Sequence, residues 1–130
     1  MLDFLPITSN EFKKNLIKDN ETRKWFLWHL NSKLENHFCY SVLLDYQVIG
    51  LVCIENEPNP YADIFLQSEF RRKGFGKKIV SKIVELHPDA RFLVNVKNLK
   101  GIAFFNNLVN ILLLKTCNKN ENFFTYQVSS

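Results

Sequence analysis

The chain has 130 residues (15.3 kDa), 46% apolar and 14% aromatic content, a formal net charge of +4 and a pI near 9.0. That is the size and composition of a single domain spanning 1–130, with chain for one core but not for a second catalytic module. No apolar run approaches the roughly 20 residues of a membrane span, no segment repeats, and MLDFLPITSNEFKKN has acidic and polar breaks where a signal peptide would be apolar, so a cytoplasmic protein, monomeric or homodimeric, is expected.

Ser9 precedes Glu11 and the run FKKNLIK, which reads as a capped first helix; a second helix follows over Glu21 to Leu34, with Trp25, Phe26, Trp28 and Leu30 as apolar anchors. HFCYSVLL and QVIGLVCIE flank Asp45-Tyr46 and read as a β-hairpin of two largely buried strands. NEPNPY, with two prolines, makes the loop into a third strand, ADIFLQ (Ala62 to Gln67). A helix from Gly74 to Leu86 stops before Pro88. Arg91 to Val96 gives the next strand, so this strand, helix and strand form a βαβ crossover whose strands should be parallel neighbours. Leu99 to Val109 predicts another helix, with Ile102, Phe105, Leu108 and Val109 on one side. NILLLKTC and FFTYQV, separated by the polar run NKNEN, read as a closing antiparallel pair.

Cys39, Cys53 and Cys117 lie inside apolar runs without CxxC spacing, which points to buried free thiols. His29, His37 and His87 form no ligand pattern with them, and no metal site is expected. The basic charge would suit a nucleic-acid partner if the cations formed a stripe with exposed aromatics. Instead they concentrate around one glycine loop, while Lys13-Lys14 and Arg23-Lys24 are interleaved on solvated helix faces; no nucleic-acid or membrane partner is expected.

That loop, FRRKGFGKKIV from Phe70 to Val80, joins an apolar strand to a helix whose Phe75, Ile79, Ile83 and Leu86 recur at three- and four-residue spacings. Gly74 and Gly76 let the backbone take positive φ and approach a ligand, and the first free N–H groups of the helix are donors. Arg71, Arg72, Lys73, Lys77 and Lys78 add positive charge at the helix end where the macrodipole disfavours cations. The combination suits a strongly anionic ligand, with a solvated basic face on an ordinary turn as the plainer alternative. A Walker loop is excluded, because Gly76-Lys77 is followed by Lys78 and no Gly stands five residues before Gly76. A Rossmann fingerprint lacks its third small residue, since Ile79 stands there.

Arg71-x-x-Gly74-x-Gly76 closely resembles the (Arg/Gln)-x-x-Gly-x-(Gly/Ala) loop of the GNAT superfamily of acyl-CoA-dependent N-acyltransferases. Ile64 to Phe70 is similar to the strand that leads into that loop, with Ser68 where Pro is common. Leu93 to Val109 resembles the second family motif: Val94 and Asn98 match its strand and Asn, and Gly101 its small residue. Phe105 stands where the family has Tyr, and Val109-Asn110 replaces a frequent Gly-Phe pair.

The resemblance implies an α/β (α+β) GNAT fold: a mixed, twisted, mostly antiparallel sheet with a central parallel βαβ pair and helices on both faces. It implies acetyl-CoA as acyl donor, its diphosphate on backbone N–H groups from Lys73 to Lys78, through Phe75. Its pantetheine would pair with the exposed backbone of Phe65, Leu66 and Gln67, Asn98 would touch the arm, and the thioester would lie near Phe105. The implied reaction is acetyl transfer to a primary amine of a small molecule, protein or peptide. A non-catalytic acyl-CoA-binding regulatory domain is the alternative, because Phe105 removes the family's proton donor. Glu55 and Asp63, at strand ends near the Pro-rich loop, are the base candidates, and the N–H of Leu66 can polarise the carbonyl. Asn106 points about 100° away from Phe105 on an ideal helix. Tyr126, Tyr40 and Tyr61 are the remaining hydroxyls considered in place of the missing acid.

Overall fold

The computed structural model describes residues 1–8, 10, 11, 14, 37–55, 60–111, 114–119 and 121–128. Apart from residues 10, 11 and 14, the two helices expected between Ser9 and Leu34, with Trp25 and Trp28, lie outside the described residues, as does the loop from Asn56 to Asn59. Thr8 and Glu11 do exchange the reciprocal bonds of a capping box: Glu11 N–H donates to Thr8 Oγ1 (3.1 Å) and Thr8 N–H to Glu11 Oε1 (3.2 Å). The cap is therefore Thr8, one residue ahead of the Ser9 expected.

In chain order, strand β1 (Leu2–Ile7) is followed by β2 (His37–Leu44), β3 (Gln47–Glu55) and β4 (Ala62–Leu66), which form one sheet in the order β1-β2-β3-β4. Helix α1 (Phe75–Leu86) leads to β5 (Arg91–Asn95), and helix α2 (Leu99–Ile111) to β6 (Leu114–Lys119) and β7 (Phe123–Val128), a second sheet ordered β5-β7-β6. All the ladders within the two sheets are antiparallel. β1 was not foreseen: Pro6 argues against a strand, yet an edge strand tolerates a residue that cannot donate. The last pair is also shifted, because Asn110 and Ile111 finish α2 and β6 runs on through Asn118 and Lys119, into the polar run expected to be loop.

The β2–β3 turn is the two-residue hairpin expected at Asp45-Tyr46, with φ of 48° and 72°. Gly50 of β3 is required by the close approach of β4, since a Cβ there would overlap the carbonyl oxygen of Phe65. β4 and β5 are parallel neighbours as expected, but they meet at a single bridge, Tyr61 with Arg91, where Arg91 N–H donates to Pro60 O at 2.9 Å.

One core joins the two sheets. Val42, Ile49, Val52 and Ile54 from the first, Ile79, Val80 and Ile83 from α1, and Phe92, Phe105, Leu108 and Tyr126 from the second half pack together. Full burial of each such aliphatic side chain contributes about 1.5–3 kcal/mol, which explains why the amphipathic stripe of α1 fixes that helix across the crossover. α1 ends where His87 N–H bonds Ile83 O (2.7 Å) and Pro88 has no N–H to continue. On the opposite face of the first sheet, Cys39 and Cys53 sit buried as free thiols with Leu51 and Phe65. The side chain of Cys117 lies outside the described residues.

Candidate active site

Alternate residues of an antiparallel strand turn their backbone groups to opposite sides. Gln67 N–H donates to Ile49 O (2.9 Å) and Glu55 N–H to Tyr61 O (3.0 Å), so odd-numbered residues of β4 are committed to β3. Ile64 and Leu66 consequently face the side where β5 would pair. Of Phe65, Leu66 and Gln67, therefore, Leu66 alone turns its backbone to that edge, and Ile64, which the motif did not single out, joins it. Arg71 helps to hold the edge open: its Nε donates to Leu66 O at 2.7 Å and its guanidinium lies 5.5 Å from the Phe65 ring centre. The Leu66 carbonyl thus bonds a side chain instead of a β5 amide. At the same level Val96 N–H, just past β5, bonds Asn122 O (2.8 Å) on the β7 side.

Between the diverging strand ends lies a cavity of about 430 Å³. Ala62, Asp63 and Ile64 line one wall, Phe92 to Asn95 another, with Phe104, Phe105 and Phe123 at the apolar end and Gly76, Asn98 and Gly101 beside the two helix starts. Phe92, Phe104 and Phe123 had no motif to mark them; their place depends on long-range packing.

The glycine loop stands at the open end. After a short turn at Ser68–Phe70, Arg72 (φ 61°) and Gly74 (φ 85°) both adopt left-handed backbone, and Gly74 is the cap residue of α1. It makes no side-chain cap bond, and the first turn of α1 carries no acid, so the helix receives no anionic cap from its own first turn. A Cβ on Gly74 would meet nothing within 4 Å, so the glycine answers to φ and to outside approach, not to internal crowding. Gly76 has a different reason: a Cβ there would press on the Phe104 ring at 3.2 Å, so it lets α1 and α2 come close. Arg72, Lys73, Lys77 and Lys78 are exposed around this end, while Phe75 is half-buried against Phe70, ring centres 6.3 Å apart.

Asn98 caps α2. Its Oδ1 accepts from Gly101 N–H (2.9 Å), and its amide lies so close over Gly101 that a Cβ there would fall 2.6 Å from Asn98 Nδ2. The Gly101 and Asn98 pair is thus one device, holding a polar side chain at the cavity rim.

Phe105 lines the cavity and is also core. It is 9% exposed and stacks nearly parallel on Tyr126 (ring centres 5.1 Å, 20°), with Phe92 at 5.2 Å. The Tyr126 hydroxyl donates to Asn106 Oδ1 at 2.8 Å, and burial pushes its pKa up. Tyr40 pairs its hydroxyl with His87 Nε2 (2.7 Å), and Tyr61 sits at the closed bridge. None of the three tyrosines lines the gap cavity.

The two carboxylates part company. Asp63 lines the gap, whereas Glu55 lines a separate cavity of about 300 Å³ at the closed end, with Phe38, Pro60, His87 and Asp89. Both still raise the Cys53 pKa, after the larger effects of its hydrogen bond with Cys39 (Sγ to Sγ 4.0 Å) and of burial. Among the described residues no cluster of His, Cys, Asp and Glu could hold a metal ion, and no helix is long and apolar enough to cross a membrane.

The sequence matches the model of the acetyltransferase (GNAT) family over residues 3–108. No curated protein sequence matches it. Solved structures are similar in fold at low identity. The PaiA N-acetyltransferase of Thermoplasma acidophilum, solved with coenzyme A, is 13% identical with TM-score 0.65, over 98% of this chain and 99% of that one. The aminoglycoside acetyltransferase AAC(6')-Ib, also with coenzyme A, is 15% identical with TM-score 0.69, over 98% and 95%. The spermidine N-acetyltransferase of Vibrio cholerae, solved with CoA and spermine, is 12% identical with TM-score 0.67, over 96% and 93%.

Proposed function

The chain belongs to the GNAT acetyltransferase family, and on that premise we propose that it transfers an acetyl group from acetyl-CoA to a primary amine of a small molecule, protein or peptide. The observation that carries this reading is the gap between β4 and β5, closed at Tyr61 and Arg91, lined by Asp63, and opening at the glycine loop. The solved relatives that hold coenzyme A or spermine are in keeping with it.

The diphosphate would sit on the backbone N–H groups from Lys73 to Lys78, with Arg72, Lys73, Lys77 and Lys78 around it and Arg71 bracing the loop from behind. The pantetheine would lie along the edge formed by Ile64 and Leu66, against Asn98. The amine nitrogen attacks the thioester carbonyl carbon, whose oxygen takes a hydrogen bond from Leu66 N–H. The carbon–sulfur bond breaks with its electron pair going to sulfur, and the proton lost by the amine is returned to the thiolate. A lysine-type amine, with a pKa of about 10.4, is mostly charged at neutral pH. Asp63, reaching the gap directly or through water, is the base we favour over Glu55, which faces the other cavity. Water protonates the thiolate, since position 105 offers no hydroxyl.

The second reading, a non-catalytic acyl-CoA-binding domain, draws on the same Phe105. Calorimetric titration with acetyl-CoA followed by an amine panel monitored for free thiol tests both. Saturable binding with amine-dependent thiol release is the expected result; binding without turnover supports the regulatory domain, and no binding at millimolar donor sinks the coenzyme assignment.

A further inference from the structure

Cys39 on β2 and Cys53 on β3 face each other in register, and their sulfurs lie 4.0 Å apart. The bonds from Gln67 N–H to Ile49 O and from Glu55 N–H to Tyr61 O turn the odd-numbered residues of β3 toward β4. Cys53 therefore gives its backbone to β4. Across β2 and β3 the two cysteines form a pair without backbone bonds between them, the kind whose side chains come closest, with Cα atoms about 4.5 Å apart. A disulfide needs a Cα separation of about 4.4–6.8 Å and a sulfur separation of about 2.05 Å. The register meets the first condition, and the second asks the sulfurs to close by about 2 Å. The same register carries the pair to the site: Cys53 stands opposite Asp63 on β4, and the ladder that holds the backbone of Asp63 is made with Cys53.

No step of the acetyl transfer uses either thiol. Resting on the acetyltransferase reading, we infer that Cys39 and Cys53 are a redox-sensitive pair, and that a disulfide between them draws β3 away from β4 beside Asp63 and slows the transfer. The oxidant is a small peroxide. Cys39 keeps 4% of its surface exposed against 0% for Cys53, so its sulfur meets the peroxide first. As a thiolate it takes one peroxide oxygen and becomes a sulfenic acid, while the other oxygen leaves as hydroxide and takes up the Cys39 proton as water. The Cys53 sulfur then attacks the Cys39 sulfur, the sulfur–oxygen bond breaks, and the oxygen leaves as a second water with the Cys53 proton. Two thiols are oxidised and the peroxide is reduced to two waters. The hydrogen bond with Cys39 and burial keep the Cys53 thiol protonated, so the bridge forms slowly and answers to sustained oxidant instead of a brief pulse. A bridge that pulls two strands together is strained, and strain makes it easier to reduce again.

The test incubates the reduced wild type with hydrogen peroxide, removes the oxidant, and measures intact mass, the cross-linked peptide, acetyl-CoA affinity and the rate with whichever primary amine the reduced protein acetylates fastest. The expected result is a mass lower by two hydrogens, a peptide joining Cys39 to Cys53, and a kcat lowered at least about fivefold, with acetyl-CoA affinity unchanged within about twofold. Dithiothreitol should restore the rate. Cys39→Ala and Cys53→Ala, each checked by thermal melt, should keep the rate of the reduced wild type and lose the response to peroxide. The wild-type measurements decide even where a variant fails to fold. Thiols that stay unbridged, a bridge to Cys117, a bridge that leaves the rate unchanged, or a folded variant that still responds each overturn the inference while leaving the acetyltransferase reading intact. Reduced wild type that acetylates no amine sinks that reading and the control of rate with it, and the mass shift then reports the bridge alone.

Discussion

The two ends of the β4–β5 pair are built from the same strands by opposite means. At the closed end, Tyr61 and Arg91 share a backbone bridge, Glu55 N–H is paired with Tyr61 O, and Tyr40 and His87 lock side chains beside it. At the open end Arg71 takes the Leu66 carbonyl, two left-handed residues swing the chain into α1, and exposed cations replace capping acids. Local stability and ligand affinity are thus assigned to different ends of one strand pair. Substitutions at the open end should move binding and rate; those at the closed end should move stability alone.

The largest effect tests the open end. Phe105→Tyr would return a hydroxyl to the cavity wall, and general acid assistance is typically worth about 10²–10⁴-fold, so faster thiol release in a single-turnover assay is the expected result. If the new hydroxyl is trapped against Tyr126 and Phe92 instead, the melt will report a loss of roughly 1–3 kcal/mol with no gain in rate, and the open end will prove to be core at that point.

Next comes the loop. Gly74→Val places a β-branched side chain at φ 85° in space open to a ligand, and should weaken acetyl-CoA binding by more than about tenfold by calorimetry, with a strain cost of roughly 1–2 kcal/mol in the melt. Arg72→Ala removes one exposed, screened cation and should cost less affinity. A larger loss for Arg72 would mean that charge, not backbone approach, holds the donor.

The smallest effect belongs to the closed end. Burial lowers the His87 pKa below its ordinary 6.5, so the unfolded chain takes up a proton there before the folded one does. The stabilising contribution is present above pH 6.5 and is lost as pH falls through that value toward the lowered one. Denaturant melts from about pH 7.5 to about pH 5 should show this decline, and His87→Gln should flatten it without changing acetyl-CoA affinity at neutral pH. A pH-dependent affinity that follows His87 would break the separation of the two ends.

The loop was legible because its chemistry is local: glycines, cations and the helix period are contiguous, and the hairpin turn and crossover announce themselves in the same way. Strand β1 was not, since Pro6 breaks the pattern and only pairing with β2 makes Leu2–Ile7 a strand. Thr8 and Ser9 are both good caps by residue type, and only the reciprocal bonds between Thr8 and Glu11 choose Thr8. Within the site, which of Phe65, Leu66 and Gln67 turns to the gap depends on register with β3, and the separation of Asp63 from Glu55 depends on where β4 and β5 stop diverging. Neither is written in any one segment. Phe105 was found by motif, but its stacking on Tyr126, 21 residues on, is a tertiary fact.

Two plates hinged along one edge behave differently from one plate. The two described sheets touch through a lone parallel bridge, with the shared side-chain core acting as the spring between them. An extended molecule laid along Ile64 and Leu66 would supply the missing rungs and turn two curved plates into one continuous lamina. Amide hydrogen exchange should then slow in β4 and β5 together when the donor is bound, even at positions the donor never touches.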